Sequence, residues 1–274
     1  MVGQLEWGGS LHQTFRLLPT ASPNLPAFLG SDGCTPDEVL QRLPYDAARS
    51  RGGTSTTPDR KRYRDGRHVY QTVGLLYEDG ERLRVTELGK ATARWVGNLT
   101  PVNSVVLGRH AAYGLSACQL RNPTVAGRKY NGAVEVFPFA YIWRAMIALD
   151  SRISSAELNR VVFRVTNESD LNDAIAKIRD WRESGESEDS LGPETITEKA
   201  KNDRIIAWMA LASFGWLLIA DKRETAQAWY RIRGRAVELL REASQIKRVH
   251  RDFTSVPEYI NHISNAACLP KDVR

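Results

Sequence analysis

The clearest pattern in this 274-residue chain lies between Thr57 and Trp95, where the spacing of apolar positions changes from helical to alternating. Thr57 is a favourable N-cap, and Pro58 suits the first helical position, where its missing N–H would be unpaired in any case. Two short apolar runs then flank Asp79-Gly80, a pair typical of a tight β-hairpin because Gly adopts the positive φ of the turn. A second helix follows, so this stretch predicts helix, hairpin and helix.

A second segment, Ile205 to Ala243, repeats this order of elements. The first helix ends at VGLLY and the second at FGWLL, so Gly74 corresponds to Gly215; basic return strands, RLRVT and WYRIR, follow in each copy. Helix, hairpin and helix form the back half of a winged helix-turn-helix. The sequence therefore predicts a mainly α fold with small β-hairpins (α+β), in which two winged helix-turn-helix domains are joined by a helical linker. Asp65-Gly66, a helix-breaking pair, lies inside the first helix of this pattern.

Interruptions of the pattern suggest where the domains begin and end. Before the first basic helix, residues 23–43 predict two short front helices, and Thr35-Pro36 begins the second of them. The polar stretch 183–193 predicts a mobile loop. The predicted parts are an N-terminal arm at 1–22, a first winged-helix domain at 23–100, a helical linker at 101–132, a second winged-helix domain at 133–245 and a C-terminal tail at 246–274. The sequence indicates no specific role for the tail or for the QIKRVHR stretch at its start.

Composition places the chain among globular proteins that remain in the cytoplasm. No apolar run approaches the length of a membrane span, and the first residues lack the features of a signal peptide, so no membrane partner is expected. The three cysteines, Cys34, Cys118 and Cys268, are far apart and lack metal-ligand spacing, which predicts reduced and mostly buried thiols.

Positive charge is concentrated near the first basic helix. The net charge is +6, and residues 49–68 hold seven Arg or Lys against two acids. A helix in the major groove reads base edges with Arg, Lys, Asn or Gln while its flanks bind phosphates, and Arg60, Lys61, Arg64 and Arg67 fall on one side of such a helix. A second basic helix begins near Thr195 or Thr197, and its first half is the second candidate recognition surface. The candidate DNA-binding residues lie in the two basic helices, the loop before the first of them, the first hairpin and the linker loop. They are Arg49, Arg51, Thr54, Ser55, Thr57, Arg60, Lys61, Arg62, Arg64, Arg67, His68, Arg82, Arg84, Arg128, Lys129, Lys199, Lys201, Asn202 and Arg204.

Several of these residues have a second interpretation. The loop 48–57 could bind phosphates or be only a flexible surface loop. Arg82 and Arg84 could contact the DNA backbone or minor groove, or keep an exposed strand edge soluble. For Tyr63 and Tyr70, packing in the core is favoured over stacking on bases, because aromatic residues at helical spacing are usually buried.

The sequence contains no convincing catalytic motif. A PD-(D/E)xK nuclease needs an acid and a lysine separated by one residue on a strand, but the chain has no Glu-x-Lys triplet, and Asp59-Arg60-Lys61 opens a helix. The candidates for an HNH site, His250, Asn261 and His262, lack the flanking pattern, so surface roles are favoured. No phosphate-binding loop or nucleophile triad is present. No catalytic residue, metal site or cofactor is therefore expected in this chain.

Two consecutive stretches carry a family resemblance. FPFAYIWRAMIALDSRISSAELNRVVFRV, at 137–165, is followed by the acidic NESDLNDAIAKIRDWR, at 167–182. Together they resemble the DNA-reading region of type IIS or modification-dependent restriction endonucleases that read DNA through tandem winged helices. The resemblance covers roughly residues 23–243. It implies an α+β recognition module on duplex DNA and carries over no catalytic residue.

The expected function is double-stranded DNA recognition for a restriction endonuclease, specific for a sequence or a modification, with the cleavage domain elsewhere. Trp7, Tyr63 and Tyr70 are candidates for a pocket that accepts a modified base. Two alternatives stay open: a tandem winged-helix transcriptional regulator, which predicts a dimerisation helix, and a protein-interaction adaptor. A nuclease domain or partner, and a homodimer, are also left open.

Overall fold

The computed structural model of this chain describes residues 24–43, 60–96, 101–125, 134–195, 198–221 and 228–267. Side chains are described throughout these ranges except at 61, 62, 101–103, 125, 198–204, 221 and 267. The structure is mainly helical with small antiparallel sheets, which confirms the predicted α+β class.

The first unit begins with two short helices and continues with a long helix, a hairpin and a further helix. Thr35 forms a capping box with Glu38 at the start of the second helix, as its position before Pro36 predicts. The elements are α1 (Asn24–Leu29), α2 (Pro36–Arg42), α3 (Arg60–Thr72), β1 (Leu76–Asp79), β2 (Arg82–Val85) and α4 (Glu87–Val96). The strands pair antiparallel, from Leu76 opposite Val85 to Asp79 opposite Arg82.

Helix α3 is continuous through Asp65-Gly66, the pair that the sequence marked as a helix breaker. Gly66 faces the ring of Phe28, and a Cβ at this position would lie 2.8 Å from Phe28 Cε2. The glycine therefore allows close packing between α1 and α3. Its helix-breaking tendency costs only about 1 kcal/mol relative to Ala, which packing can offset.

Helix α5 (Pro101–Ser116) leads to the second unit, whose sheet has three strands. The elements are α6 (Pro138–Ala148), β3 (Arg152–Ser154), α7 (Ser155–Arg160), α8 (Leu171–Ser184), α9 (Glu198–Ala212), β4 (Leu218–Asp221), β5 (Trp229–Ile232) and α10 (Val237–Gln245). The antiparallel strand order is β3-β5-β4, so β5 pairs with both neighbours, whereas the sequence pattern predicted only the hairpin of β4 and β5. Within the stretch 183–193, where the polar composition predicted a loop, Glu188–Leu191 forms a 3-10 turn that buries Leu191; its mobility stays a prediction.

One hydrophobic core runs through both units. Its largest side chains surround Trp208 of α9, whose ring lies 5.5 Å from Phe139 and 5.9 Å from Phe163, measured between centroids. Cys34 and Cys118 are free and buried, as predicted, and Cys268 lies outside the described residues. Burial raises the pKa of the Cys118 thiol to about 12, so this thiol is uncharged at neutral pH.

The two units are connected by a reciprocal exchange of helices. Helix α5, which follows the first unit, packs on the turn between α9 and β4, where Gly215 has φ +78° and approaches Gly108. Helix α11 (Val256–Ala267), which follows the second unit, packs on the corresponding turn between α3 and β1, where Gly74 has φ +79° and approaches Ile263. Each unit is therefore completed by the helix that leaves the other one.

Hydrogen bonds reinforce this exchange. The backbone N–H of Leu88, in α4, donates to Ser264 Oγ of α11 at 3.0 Å. Helices α5 and α11 also pack against each other, and the backbone N–H of Gln119, just after α5, donates to Tyr259 Oη at 3.0 Å. The segment named as a C-terminal tail thus supports the first unit, while the predicted domain boundaries stay a prediction.

We expect Gly215→Ala to destabilise the protein more than Gly33→Ala. Both glycines have φ near +77°, where Ala costs about 1–2 kcal/mol. A Cβ at 215 would also lie 2.7 Å from Gly108 Cα, whereas nothing lies within 4 Å of a Cβ at 33. The added overpacking should cost about a further 1–3 kcal/mol. Free energies of unfolding from urea titration would measure both; equal losses would contradict the tight contact with α5.

Candidate nucleic-acid interface

An open groove of about 680 Å³ lies between the N-terminus of α2, the exposed face of α3 and the turn of the β1–β2 hairpin. It is named the α3 groove here. Three arginines recur along it at helical spacing, which places them on one face of α3 as the sequence predicts. The lining residues are Thr35, Pro36, Asp37, Arg60, Tyr63, Arg64, Arg67, Glu78, Gly80 and Glu81.

Two tyrosines hold α3 in the core, and one of them, Tyr63, also lines the α3 groove. Tyr63 and Tyr70 are buried, and their rings lie 5.8 and 5.1 Å from that of Phe28, measured between centroids. This confirms the prediction that both tyrosines belong to the core. Tyr70 is only 2% exposed, so its ring is not accessible to a DNA base.

Arg67 is held in place by a network that the sequence did not predict. Its guanidinium pairs with Glu78 on β1, and the same carboxylate accepts a hydrogen bond from Tyr63 Oη at 2.8 Å. Burial lowers the pKa of the Arg67 guanidinium and raises the pKa of the Tyr63 phenol. Glu78 therefore determines where the guanidinium of Arg67 points.

The other two arginines of the α3 groove are more accessible. Arg60 forms two hydrogen bonds with Asp37 of α2, at 3.3 Å from Nε and 3.0 Å from Nη2, and both side chains are exposed. Arg64 is 64% exposed, and its nearest carboxylate, Asp65, lies 3.7 Å from its Nε. Because exposed ion pairs contribute little, Arg64 is the least compensated positive charge of the three.

The hairpin arginines, Arg82 and Arg84, do not line the α3 groove. Arg82 is exposed and donates from Nη1 to the carbonyl oxygen of Gly33 at 2.7 Å, which connects the hairpin to the loop before α2. Arg84 is exposed beside Asp79, with 3.7 Å between Nε and Oδ2. His68, by contrast, lines a small cavity of about 30 Å³ with Cys118 and Trp208, on the side of α3 that meets the second unit.

The remaining candidates cannot be placed by their side chains. Lys61 and Arg62 lie in α3, and Lys199, Lys201, Asn202 and Arg204 lie in the first half of α9, at positions where only the backbone is described. The other candidates, Arg49, Arg51, Thr54, Ser55, Thr57, Arg128 and Lys129, lie outside the described residues, as does Trp7. Helix α9 leads into the β4–β5 hairpin as α3 leads into β1–β2.

The sequence did not predict the acidic partners of the groove. Asp37 lies in the first turn of α2, and Glu78 lies in β1. Nothing in the local pattern connects either carboxylate with α3, because both contacts join residues far apart in sequence. Across the described ranges, no three His, Cys, Asp or Glu side chains form a metal-ligand cluster, and no helix is long and apolar enough to cross a membrane.

Comparisons with known proteins agree with this fold. No family model and no curated protein matches the chain. The fold is similar to that of the BpuJ1 endonuclease binding domain, solved in complex with pyrene- and phenanthrene-modified DNA. The similarity has a TM-score of 0.56 at 15% identity, and it covers 89% of this chain and 91% of the other.

We expect Glu78→Gln to destabilise the protein by about 1–3 kcal/mol, because it leaves the half-buried guanidinium of Arg67 without its counter-ion. The Arg67 and Glu78 side chains are only 21% and 27% exposed. Asp37→Asn is the matched control, since its pair with Arg60 is exposed and should contribute less than about 1 kcal/mol. Urea titration of both variants provides the test, and a smaller loss for Glu78→Gln would refute the importance of the network.

Proposed function

We propose that this chain is a double-stranded DNA recognition module of a restriction endonuclease, specific for a sequence or a modification, with cleavage performed outside these 274 residues. The observation that carries the proposal is the α3 groove, in which three arginines lie on one face of an anchored helix beside a hairpin turn. The endonuclease binding domain with a similar fold was solved with modified DNA, which supports the same class of ligand.

In the proposed complex, each unit acts as a winged helix. Helix α3 enters the major groove and the β1–β2 hairpin serves as the wing along the backbone. The first half of α9, with Lys199, Lys201, Asn202 and Arg204, is the second recognition helix. The observed order of strands and helices supports this proposal, because in both units a helix precedes an antiparallel hairpin and a further helix.

The arginines of the α3 groove have different proposed roles. Arg64 makes the first contact with DNA because its charge is least compensated. Arg67 is pre-oriented by Glu78, which reduces the conformational entropy lost when it binds a base edge or a phosphate. Arg60 exchanges Asp37 for a phosphate at little cost, since an exposed ion pair is weak.

The packing of α11 bears on the regulator alternative. A tandem winged-helix regulator was expected to offer a C-terminal dimerisation helix, but the buried residues of α11, Tyr259, Ile260 and Ile263, belong to the core shared with the first unit. The apolar face of this helix is therefore used within the chain, which favours the recognition module. The adaptor alternative predicts binding without the salt dependence that phosphate contacts produce.

We expect Arg64→Ala to weaken duplex binding. If Arg64 contacts a phosphate, the slope of log K against log salt should fall by about 0.9; if it contacts a base, discrimination should fall by about 1–3 kcal/mol. Binding of unmodified, methylated and phosphorothioated duplexes at several salt concentrations would distinguish these contacts and identify the preferred target. The triple variant Arg60→Ala, Lys61→Ala and Arg64→Ala should abolish binding.

Arg94→Ala is the matched control, because it removes one exposed arginine from α4, away from the α3 groove. Its affinity and salt slope should equal those of the natural sequence. Weak binding with the same affinity for every type of duplex, unchanged in the triple variant, would rule out the proposed helix contact. That outcome would favour the protein-interaction adaptor.

A further inference from the structure

The segment between α10 and α11, residues 246–251, is basic and is held firmly against α5. Gln119 bonds to it twice: its Nε2 donates to the carbonyl oxygen of Arg251 at 2.7 Å, and the Arg251 N–H donates to its Oε1 at 2.8 Å. Arg248 turns inward and donates from Nη2 to Ser116 Oγ at 2.8 Å and to the Tyr113 carbonyl oxygen at 3.3 Å. Lys247 is exposed.

This segment forms one wall of a groove of about 270 Å³, whose other walls are α6, the end of α10 and the turn at Glu168. Three positive side chains line it, Arg144, Lys247 and Arg248, against the single carboxylate of Glu168. It is named the Arg248 groove here. It is separate from the α3 groove, with which it shares no lining residue.

The charges of the Arg248 groove are not balanced. Glu168 is already used, because it pairs with Arg144 and accepts the backbone N–H of Phe137 at 2.7 Å. The hydrogen bonds of Arg248 go to neutral acceptors, and its Nε is buried without a partner among the described residues. No described carboxylate forms an ion pair with Lys247 or Arg248. Within the part of the chain that the structure describes, Lys247 and Arg248 therefore have no counter-ion.

Neighbouring groups do not supply the missing negative charge. The Cys118 thiol interacts electrostatically with Arg248, but burial raises its pKa to about 12, so it carries no negative charge at pH 7. Glu242 of α10 accepts a hydrogen bond from Tyr113 Oη and does not line the groove. A half-buried guanidinium without a counter-ion is costly, and an external anion would relieve that cost.

We infer that the Arg248 groove is a binding site for a phosphate group, held by the guanidinium of Arg248 and the ammonium of Lys247. Guanidinium and ammonium donors are the usual protein ligands of phosphate. The phosphate belongs either to the backbone of a duplex or to a free phosphate ion. This site does not depend on the proposed DNA contact of α3, and it gives the basic stretch QIKRVHR a role.

The test compares the natural sequence with Lys247→Ala and Arg248→Gln, and uses Lys177→Ala as the control. Lys177 is an exposed lysine of α8 outside the Arg248 groove, so its removal changes the net charge equally. Thermal unfolding of the full chain is measured in sodium phosphate and in sodium chloride of equal ionic strength. Duplex binding is then measured at several salt concentrations, with and without phosphate. Arg248 also forms hydrogen bonds with α5, so Arg248→Gln changes the stability of the fold as well as the site. Lys247 is exposed, and the result for Lys247→Ala therefore depends least on folding.

We expect phosphate to raise the melting temperature above that in chloride for the natural sequence and Lys177→Ala, and much less for Lys247→Ala and Arg248→Gln. If the phosphate of DNA is the ligand, Lys247→Ala also lowers the salt slope by about 0.9, and free phosphate competes with the duplex. If the ligand is free phosphate, duplex binding stays unchanged. If phosphate stabilises the chain through Lys247 but the chain binds no duplex, the phosphate site is upheld and the proposed function is rejected. Equal melting temperatures and salt slopes for Lys247→Ala and Lys177→Ala would overturn the inference.

Discussion

The structure depends on the close contact between two glycine turns and two exchanged helices. At Gly215 the second unit receives α5, and at Gly74 the first unit receives α11. Both turns have positive φ, and at both positions a Cβ would lie less than 3 Å from an atom of the incoming helix. The same residue type thus meets two requirements, the left-handed backbone of the turn and the space for a helix.

This exchange has consequences for the mechanical behaviour of the molecule. Because α5 and α11 also pack against each other, a displacement of one unit must disturb the helix that completes the other. The cavity lined by His68 of α3 and Trp208 of α9 lies at the same junction. Helices α3 and α9 are therefore joined through one hydrophobic core.

Charge is the second constraint on this fold. Arginines on the surface of α3 and on the segment after α10 are useful to a polyanion-binding protein, but a half-buried guanidinium must be compensated. In the α3 groove the compensation comes from Glu78, which also orients Arg67. In the Arg248 groove Glu168 compensates Arg144, and Arg248 has only neutral acceptors. The two arginines therefore differ: Arg67 is oriented by its counter-ion, whereas Arg248 is the proposed ligand of an external anion.

The local elements were determined by the sequence itself. Short-range patterns predicted the α+β class, the helix before each hairpin, the cap at Thr35 and the burial of Tyr63 and Tyr70, because helix spacing, capping and tight turns involve residues only a few positions apart. The correspondence between Gly74 and Gly215 was also visible in the sequence, but the helix that packs against each glycine was not.

Only the tertiary structure decided what these elements contact. It showed that β3 joins the hairpin of the second unit, that α11 completes the first unit, and that Glu78 holds Arg67. Helical or alternating spacing does not connect the residues that meet in these contacts. The free energy of such contacts comes from burial and pairing in three dimensions, and therefore leaves no local trace in a single sequence.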